Sequence, residues 1–229
     1  MTSQTWHLIL TSLPPIIKAS VTYTIPLTLI SFTLGLLLAL LTAMVRLSPM
    51  RGPFQIVRGL FWVYVWIFRS TPLLVQLFIV FFGLPNIGVQ FSPWIAAIIT
   101  FTLNVGAYSS ETIRAAILSI PNGQWEAAYT LGMTRPQVLF RIVLPQAARV
   151  SLPPLSNSFI GLVKDTSLAS SITIVEMFMV GQQIAAKTYE PLLLYSLVAF
   201  VYLIICTVLT ILQSYLEKWT SRYIQTGNN

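Results

Sequence analysis

Long apolar runs constrain this chain more than any other feature of its sequence. Five stretches are dominated by hydrophobic side chains, and they lie at residues 19–45, 59–82, 94–118, 154–180 and 191–216. A helix needs about 20 residues to cross ~30 Å of hydrocarbon. Because lipid offers no partner to backbone N–H and C=O groups, we predict an all-α polytopic membrane protein with five transmembrane helices.

The composition agrees with one transmembrane domain that occupies residues 1–229. Hydrophobic residues make up 55% of the chain and charged residues only 8%, and no hydrophilic stretch is long enough for a separate soluble domain. The first run lacks the basic flank and the small-residue cleavage site of a secretion signal, so we expect it to be retained. The single cysteine, Cys206, lies in the fifth run, which excludes an intramolecular disulfide.

The net charge of +7 is explained by where the basic residues fall between the runs. With the N-terminus outside, only Lys18 and Lys187 lie on the outer side. The cytoplasmic side then holds Arg46, Arg51, Arg58, Arg135, Arg141, Arg149, Lys218 and Arg222. Cytoplasmic loops are enriched in Lys and Arg, so the pattern predicts an external N-terminus and a cytoplasmic C-terminus. Nucleic-acid binding is not needed to account for the charge.

The largest predicted cytoplasmic loop, at residues 119–153, contains the sequence QWEAAYTLGMTRPQVLFRIVLPQ, which we call the EAA segment (residues 124–146). Good helix formers end at Gly132, and Thr134 with Gln137 forms a capping box for a second helix that Pro145 should weaken or end. Apolar residues fall on one side of this second helix; they are Val138, Leu139, Ile142 and Val143. Such a short amphipathic helix lies on the membrane surface or docks on a partner, and periodicity alone leaves both open.

The spacing within the EAA segment resembles the EAA loop of ABC-importer permeases. That signature is EAA, three residues, Gly, nine residues, then Ile, any residue and Leu-Pro. It is matched here by Glu126, Ala127, Ala128, Gly132, Ile142, Leu144 and Pro145. The sequences at 68–78, 103–117 and 144–170 resemble the polar amino-acid permeases of the histidine, glutamine and arginine class. The sequence at 144–170 is most similar to L-cystine permeases.

The resemblance implies a type I ABC-importer permease in a bacterial cytoplasmic membrane. Two permease subunits, identical or different, would work with a dimer of cytosolic ATPases and an external substrate-binding protein to import a polar amino acid such as L-cystine. The EAA segment would form the coupling helices that dock on the ATPase, with Gly132 as the tight turn between them. The chain has no G-x-x-x-x-G-K-[ST] loop, so we expect no cofactor here and ATP with Mg²⁺ on the partner.

Four ionisable side chains fall at membrane depth: Arg69, Glu111, Lys164 and Asp165. Each costs about 2.5–3.5 kcal/mol even on insertion scales, so each is a candidate functional residue. Counted at 1.5 Å per residue, Arg69 and Asp165 lie ~17 Å and Glu111 ~12 Å from the cytoplasmic ends of their helices. All three could therefore meet near the middle of the membrane.

Polar residues of the third run, including Glu111, align on one face of the predicted helix. Asn104, Tyr108 and Glu111 follow i, i+4, i+7 spacing and so predict one face turned toward the bundle or a water-filled path. Two interpretations stay open. The residues line a substrate pathway, or hydrogen bonds and an Arg69–Glu111 ion pair only hold the helices together.

The fourth run contains the best candidates for contact with a zwitterionic substrate. Asp165 would accept the ammonium group, while Thr166 and Ser167 would donate to the carboxylate. Lys164 either joins this site or extends to the membrane interface. The helix break expected at Ser70, Thr71 and Pro72 either lines a cavity or serves packing.

Two other classes of function compete with an ABC permease. An ion-gradient-driven secondary transporter or channel would need internal repeats and no ATPase-docking loop, whereas no repeat is visible and the loop is present. A membrane enzyme would need a catalytic or metal-binding cluster, yet the only histidine is His7 and no such cluster exists in the sequence. Co-isolation with a nucleotide-hydrolysing partner would separate these classes.

Overall fold

The structure is a computed structural model that describes residues 3–48 and 54–221. Arg51 and Arg222, which the charge pattern assigns to the cytoplasmic side, lie outside these ranges, as does the turn at residues 49–53. Helices account for nearly all of the described residues, and none of these residues forms a strand, so the predicted all-α class is confirmed.

The described residues form ten α-helices. They are α1 (Ser3–Ala19), α2 (Ile25–Leu47), α3 (Phe54–Ser70), α4 (Leu73–Phe78), α5 (Pro93–Leu118), α6 (Asn122–Thr130), α7 (Arg135–Val138), α8 (Leu144–Asp165), α9 (Met177–Thr188) and α10 (Pro191–Ser221). Wider π-helical turns at Ser20–Thr24, Ile79–Gly83 and Leu139–Val143 and 3₁₀ helices at Leu84–Ile87 and Thr166–Ile172 connect some of them. The third and fifth predicted runs correspond closely to α5 and α10.

The first helical stretch is longer than the apolar run predicted. α1, a π-helical turn and α2 follow one another without a break, so the predicted start at residue 19 is wrong. Polar residues, together with Pro14 and Pro15, interrupt the apolar pattern of α1, so the sequence did not predict this helix. The helix is supported instead by packing against α9 and α10, which a hydropathy pattern does not register.

The second run is broken where its Ser-Thr-Pro sequence predicted a break. α3 ends at Ser70, and the stretch from Leu73 to Ile87 turns away by 111°. Pro72 has an extended backbone (φ −63°, ψ 138°) and no N–H to continue the helix. The predicted break is therefore confirmed, and the run forms a bent pair.

The fourth run begins and ends elsewhere than predicted. α8 starts at Leu144 rather than at residue 154, because Pro145 occupies the permissive first turn and does not end the helix. The path does not stay α-helical to residue 180: it tightens to 3₁₀ geometry after Asp165, turns at Thr173 (φ 69°), and continues as α9 at 53°. Ser and Thr hydroxyls bonded to carbonyls three residues earlier accompany this tightening.

Two helical stretches among the described residues are long and apolar enough to cross a membrane unaided: Gln4–Leu47 and Pro191–Lys218. Counting each bent pair, α3 with α4 and α8 with α9, as one crossing raises this number to four. The remaining long helix, α5, is the one that carries the polar row and packs at the centre of the bundle.

Close packing of α2 along α5 forms the centre of the bundle. Gly35 permits this approach, because a Cβ there would lie 2.6 Å from Cγ1 of Val105. One apolar cluster joins α2, α4, α5, α8 and the Thr166–Ile172 helix. A second joins the C-terminal ends of α2 and α5 to the EAA segment, which is thereby attached directly to the two central helices.

Candidate functional site

The EAA segment folds as two short helices around a glycine turn, as its sequence predicted. Gly132 adopts a left-handed backbone (φ +75°), and its N–H donates to the Tyr129 carbonyl at 2.9 Å. The Met133 N–H reaches back to the Ala128 carbonyl at 3.2 Å, which satisfies carbonyls at the end of α6. A Cβ added to Gly132 would meet no other atom of the described residues within 4 Å, so backbone conformation rather than crowding requires glycine there.

The second helix starts with the predicted capping box. The Thr134 N–H donates to Oε1 of Gln137 at 2.8 Å. Beyond α7 the chain widens into the Leu139–Val143 π-helical turn and passes directly into α8, so Pro145 interrupts nothing. The predicted apolar side is confirmed: Val138 and Val143 are fully buried, and Leu139 and Ile142 pack on the same cluster.

The residues of the EAA signature divide between two surfaces. Ala128, Ile142 and Leu144 pack against the cluster formed with the ends of α2 and α5. The other signature residues are exposed, and they are Glu126, Ala127, Gly132 and Pro145. Leu131, beside the turn, is 82% exposed, which is unusual for a leucine in a packed segment. One side of the segment is thus fixed to the helices, while the other is open to solvent in the isolated chain.

A cavity of about 480 Å³ lies between α2, α3 and α5, and we call it the α3–α5 cavity. Trp62, Trp66 and Arg69 line it from one face of α3, where their spacing of three and four residues aligns them. Tyr108 and Glu111 line it from α5, and Arg46 lines it from the end of α2. Arg69 and Glu111 therefore share one cavity, as the sequence suggested, but Asp165 does not line it.

The Arg69–Glu111 ion pair of the packing interpretation does not form; Glu111 pairs with two other arginines. The Arg46 guanidinium donates to Oε1 of Glu111, and Arg114 donates to Oε2 through Nε at 3.0 Å and Nη2 at 2.8 Å. Both Arg46 and Glu111 are largely buried, with 15% and 17% of their side chains exposed. Arg114 lies three residues from Glu111 on α5, and Arg46 lies in the last turn of α2, which packs along α5.

Arg69 is held by an aromatic ring instead. Its guanidinium carbon lies 5.6 Å from the centre of the Tyr108 ring, and the Tyr108 hydroxyl donates to the Arg69 carbonyl at 3.2 Å. Tyr108 thus contacts both the side chain and the backbone of Arg69. A cation over a ring face is stabilised by about 0.5–2 kcal/mol, depending on solvation.

Gln76 completes the polar row and was missed in the sequence. Its Oε1 accepts from Nδ2 of Asn104 at 3.0 Å, and its Nε2 lies 2.9 Å from the Phe68 carbonyl and 2.9 Å from Oγ1 of Thr71. Gln76 is only 6% exposed, so it satisfies backbone groups that the break after Ser70 leaves unpaired. The only sequence signal was a glutamine in an otherwise apolar run close to Pro72.

The predicted site around Asp165 is only partly assembled. Lys164 and Asp165 are exposed in the isolated chain and lie at the end of α8. Thr166 is fully buried, and its hydroxyl donates to the Val163 carbonyl at 2.7 Å, while the Ser167 hydroxyl donates to the Lys164 carbonyl at 2.7 Å. Both hydroxyls are therefore used within the helix rather than turned toward a common site.

Glu176, which precedes α9, is fully buried. Its carboxylate accepts from the N–H groups of Phe178 and Met179 at 2.8 and 2.7 Å and so caps α9. The Tyr202 hydroxyl on α10 lies 3.4 Å away. Glu176 therefore fixes the start of α9 against α10. Among the described residues, no three His, Cys, Asp or Glu side chains are grouped so as to hold a metal ion.

Residues 31–222 match the family described as binding-protein-dependent transport system inner membrane component. The chain belongs to this family. It is thus a multi-pass inner-membrane permease of an ABC importer, a system in which a substrate-binding protein delivers the substrate and a separate ATPase hydrolyses ATP.

Two curated relatives align with most of the permease sequence. Over 220 residues it is 51% identical to the L-cystine transport system permease protein TcyB of Bacillus subtilis, covering 96% of this chain and 92% of TcyB. It is 40% identical over 185 residues to TcyL, an L-cystine transport system permease protein of the same organism, covering 78% of this chain and 77% of TcyL.

A solved structure agrees with this assignment. The permease matches a chain in the crystal structure of an amino acid ABC transporter with histidines at a TM-score of 0.87 and 29% identity, covering 95% of this chain and 99% of that chain. Because this likeness covers 95% of the chain at a high TM-score, the permease has the type I ABC permease fold.

Proposed function

We propose that this permease imports a polar amino acid, L-cystine, and that the EAA segment couples transport to a cytosolic ATPase dimer. The observation that carries the coupling role is the division of the EAA signature between two surfaces. Ala128, Ile142 and Leu144 attach the segment to α2 and α5, while Glu126, Ala127 and Gly132 remain exposed. A docking element needs both a fixed side and a free side.

Five crossings describe the permease most simply. They are Gln4–Leu47, the pair α3 with α4, α5, the pair α8 with α9, and α10. An odd number of crossings places the two ends of the chain on opposite sides, and the excess of Lys and Arg favours a cytoplasmic C-terminus. On this topology the EAA segment faces the cytoplasm, where an ATPase can reach it.

The substrate pathway in this proposal runs past two helix ends. Arg69 lies at the end of α3 and Asp165 at the end of α8, and each is followed by a break in its bent pair. α4 packs against the 3₁₀ helix that follows Asp165, so the two breaks adjoin. Asn104, Tyr108 and Glu111 supply the polar face of α5, and Lys164, Thr166 and Ser167 are the neighbours of Asp165 along the chain. A second permease subunit would close the open side of this path.

Identity supports L-cystine as the substrate. Two relatives, TcyB and TcyL, are L-cystine permeases, and TcyB is 51% identical over 96% of the chain. The chemistry agrees, since Arg69 and Asp165 carry the opposite charges that a zwitterionic substrate needs.

An uptake assay in proteoliposomes tests the whole proposal. The permease is reconstituted with its ATPase and binding protein, and labelled L-cystine is offered with ATP inside the vesicles. We expect uptake that requires both ATP and the binding protein and that excess L-cystine suppresses more than other polar amino acids do. Uptake driven by an ion gradient without the ATPase would contradict the proposal.

A further inference from the structure

Positive charge is in excess at the α3–α5 cavity. Arg46, Arg69 and Arg114 carry three positive charges there or at its edge, and among the described residues Glu111 is the only acidic side chain beside them. Arg46 and Arg114 both bind the Glu111 carboxylate, which therefore has little capacity left for another cation. The cavity is consequently poorly suited to an ammonium group and well suited to an anion.

Arg69 is the residue that an anion would reach. Its guanidinium lines the cavity and forms no ion pair with any acidic side chain in residues 3–48 and 54–221. The Tyr108 ring supports one face of the guanidinium, and the Tyr108 hydroxyl fixes the backbone beneath it. A planar guanidinium held in this way is preorganised to bind a carboxylate through two parallel N–H groups.

Aromatic surface lies one and two helical turns from this cation. Trp62 and Trp66 stack with ring centres 6.3 Å apart and 5° between their planes, and both line the same cavity. The cavity therefore combines the Arg69 cation with a flat apolar wall. Its volume of about 480 Å³ falls within the range of roughly 300–1,000 Å³ that is usual for small-molecule sites.

We propose that Arg69, supported by Tyr108, binds the α-carboxylate of the transported amino acid and that the α3–α5 cavity rejects molecules without a carboxylate. The substrate class is therefore zwitterionic or anionic amino acids, and amino acids with a net positive charge are disfavoured by the surplus of arginines. This inference rests on the proposed function and adds to it the group that is recognised and the class that is excluded.

Binding to the permease–ATPase complex, without the binding protein, tests the inference directly. L-cystine and cystamine share the disulfide and both amino groups, but cystamine lacks both carboxylates. We expect the intact complex to bind L-cystine at least about tenfold more tightly than cystamine, since a charge-assisted bidentate contact is lost. Isothermal titration gives both dissociation constants, and quenching of Trp62 and Trp66 fluorescence provides a second readout.

Variants of Arg69 then locate the source of this preference. Arg69→Met should weaken L-cystine binding about tenfold and should not weaken cystamine binding, since one of the surplus positive charges is removed. Arg69→Lys should give an intermediate L-cystine affinity because charge is kept but the planar fork is lost. Lys187→Met, which removes an exposed cation at the end of α9, should behave like the intact complex. Thermal melts of each complex check that the variants are folded.

The outcomes separate this inference from the proposed function. Equal binding of L-cystine and cystamine by the intact complex, no measurable L-cystine binding, or an unchanged preference in a folded Arg69→Met complex would each overturn the carboxylate site. ATP-dependent uptake of L-cystine could still occur in those cases. Failure of the intact system to import any amino acid would overturn the proposed function instead.

Discussion

Gly132 sets the geometry of the EAA segment through its backbone alone. Its φ of +75° is readily accessible only to glycine and, at some cost, to asparagine, while the space around it is open. The left-handed turn lets α6 end at Thr130 and α7 begin at Arg135, and Glu126 and Leu131 on its N-terminal side are both exposed. The turn therefore holds α6 and α7 at a fixed angle and forms a rigid corner, rather than linking the two helices flexibly.

We expect Gly132→Val to uncouple the transporter while leaving membrane insertion intact. A β-branched residue in this conformation costs about 1–2 kcal/mol and displaces the end of α6. Transport per ATP hydrolysed should fall severalfold, and ATP hydrolysis should no longer respond to the binding protein. Gly132→Asn should retain most of the coupling. Both rates are measured in the same proteoliposomes.

Gly88→Val is a matched control for that experiment. Gly88 also has a left-handed backbone (φ +85°) in open space, but it follows the Leu84–Ile87 helix, away from the EAA segment. The same strain should therefore leave coupling unchanged. If both variants uncouple equally, general destabilisation rather than the docking corner explains the effect.

At the level of helices, the break between α3 and α4 is held by side-chain hydrogen bonds. Gln76 shares its two N–H groups among the Phe68 carbonyl, the Thr71 carbonyl and Oγ1 of Thr71, and it accepts from Asn104. The break therefore has a defined angle, although Pro72 removes a backbone donor. It places Arg69 at the end of a helix and next to the cavity.

Gln76→Leu should destabilise the permease by about 1–3 kcal/mol, because Asn104 and the carbonyls at the break lose a buried partner. The melting temperature of the detergent-solubilised permease should fall by several degrees. Gln183→Leu, at an exposed position of α9, serves as the control and should melt like the unchanged protein. Equal melting of all three proteins would mean that the break is held by packing alone.

The sequence predicted helices well where local signals agree with tertiary packing. α5 was predicted at 94–118 and occurs at Pro93–Leu118, where Ser92 caps the helix and Pro93 opens it. The EAA corner was predicted because glycine and the capping box act over a few residues. The bent pairs were placed less well, since their ends depend on hydrogen bonds within the bundle.

Contacts between distant residues could not be predicted in the same way. Arg46 and Glu111 are 65 positions apart, and nothing near Arg46 distinguishes it from the other basic residues at helix ends. The burial of Glu176 could not be predicted either, because its partners, two N–H groups of α9 and the Tyr202 hydroxyl, come together only once α9 and α10 pack.

For the whole molecule, the distribution of basic residues and the number of crossings together predict the orientation in the membrane. The EAA segment lies at the same end of the bundle as Arg46 and the C-terminal end of α5. Lys187 lies in the last turn of α9, at the end of the second bent pair, and Gln4 lies in the first turn of α1. An external N-terminus therefore requires Gln4 and Lys187 to be accessible from outside and the EAA segment to be accessible only from inside.

Cysteine labelling checks this orientation. In a Cys206→Ser background, a membrane-impermeant maleimide added to intact cells should label Gln4→Cys and Lys187→Cys. Gln124→Cys, in exposed α6, should react only after the membrane is permeabilised. The reverse pattern would invert the orientation, and labelling of Lys187→Cys from the inside would exclude five crossings.

The direct passage from α7 into α8 has a mechanical consequence. From Arg135 to Ile172 the backbone stays helical, with a π-helical turn, a final 3₁₀ segment and four prolines, Pro136, Pro145, Pro153 and Pro154, but no loop. The exposed turn at Gly132 and the charged residue Asp165 therefore lie at opposite ends of one helical segment. From residue 135 to residue 165 this segment is roughly 45 Å long at 1.5 Å per residue. On the docking that we propose for the EAA segment, a displacement of the Gly132 corner would reach the Asp165 end through continuous helix rather than through a loop, with the π-helical turn and the prolines as the points where that helix can bend.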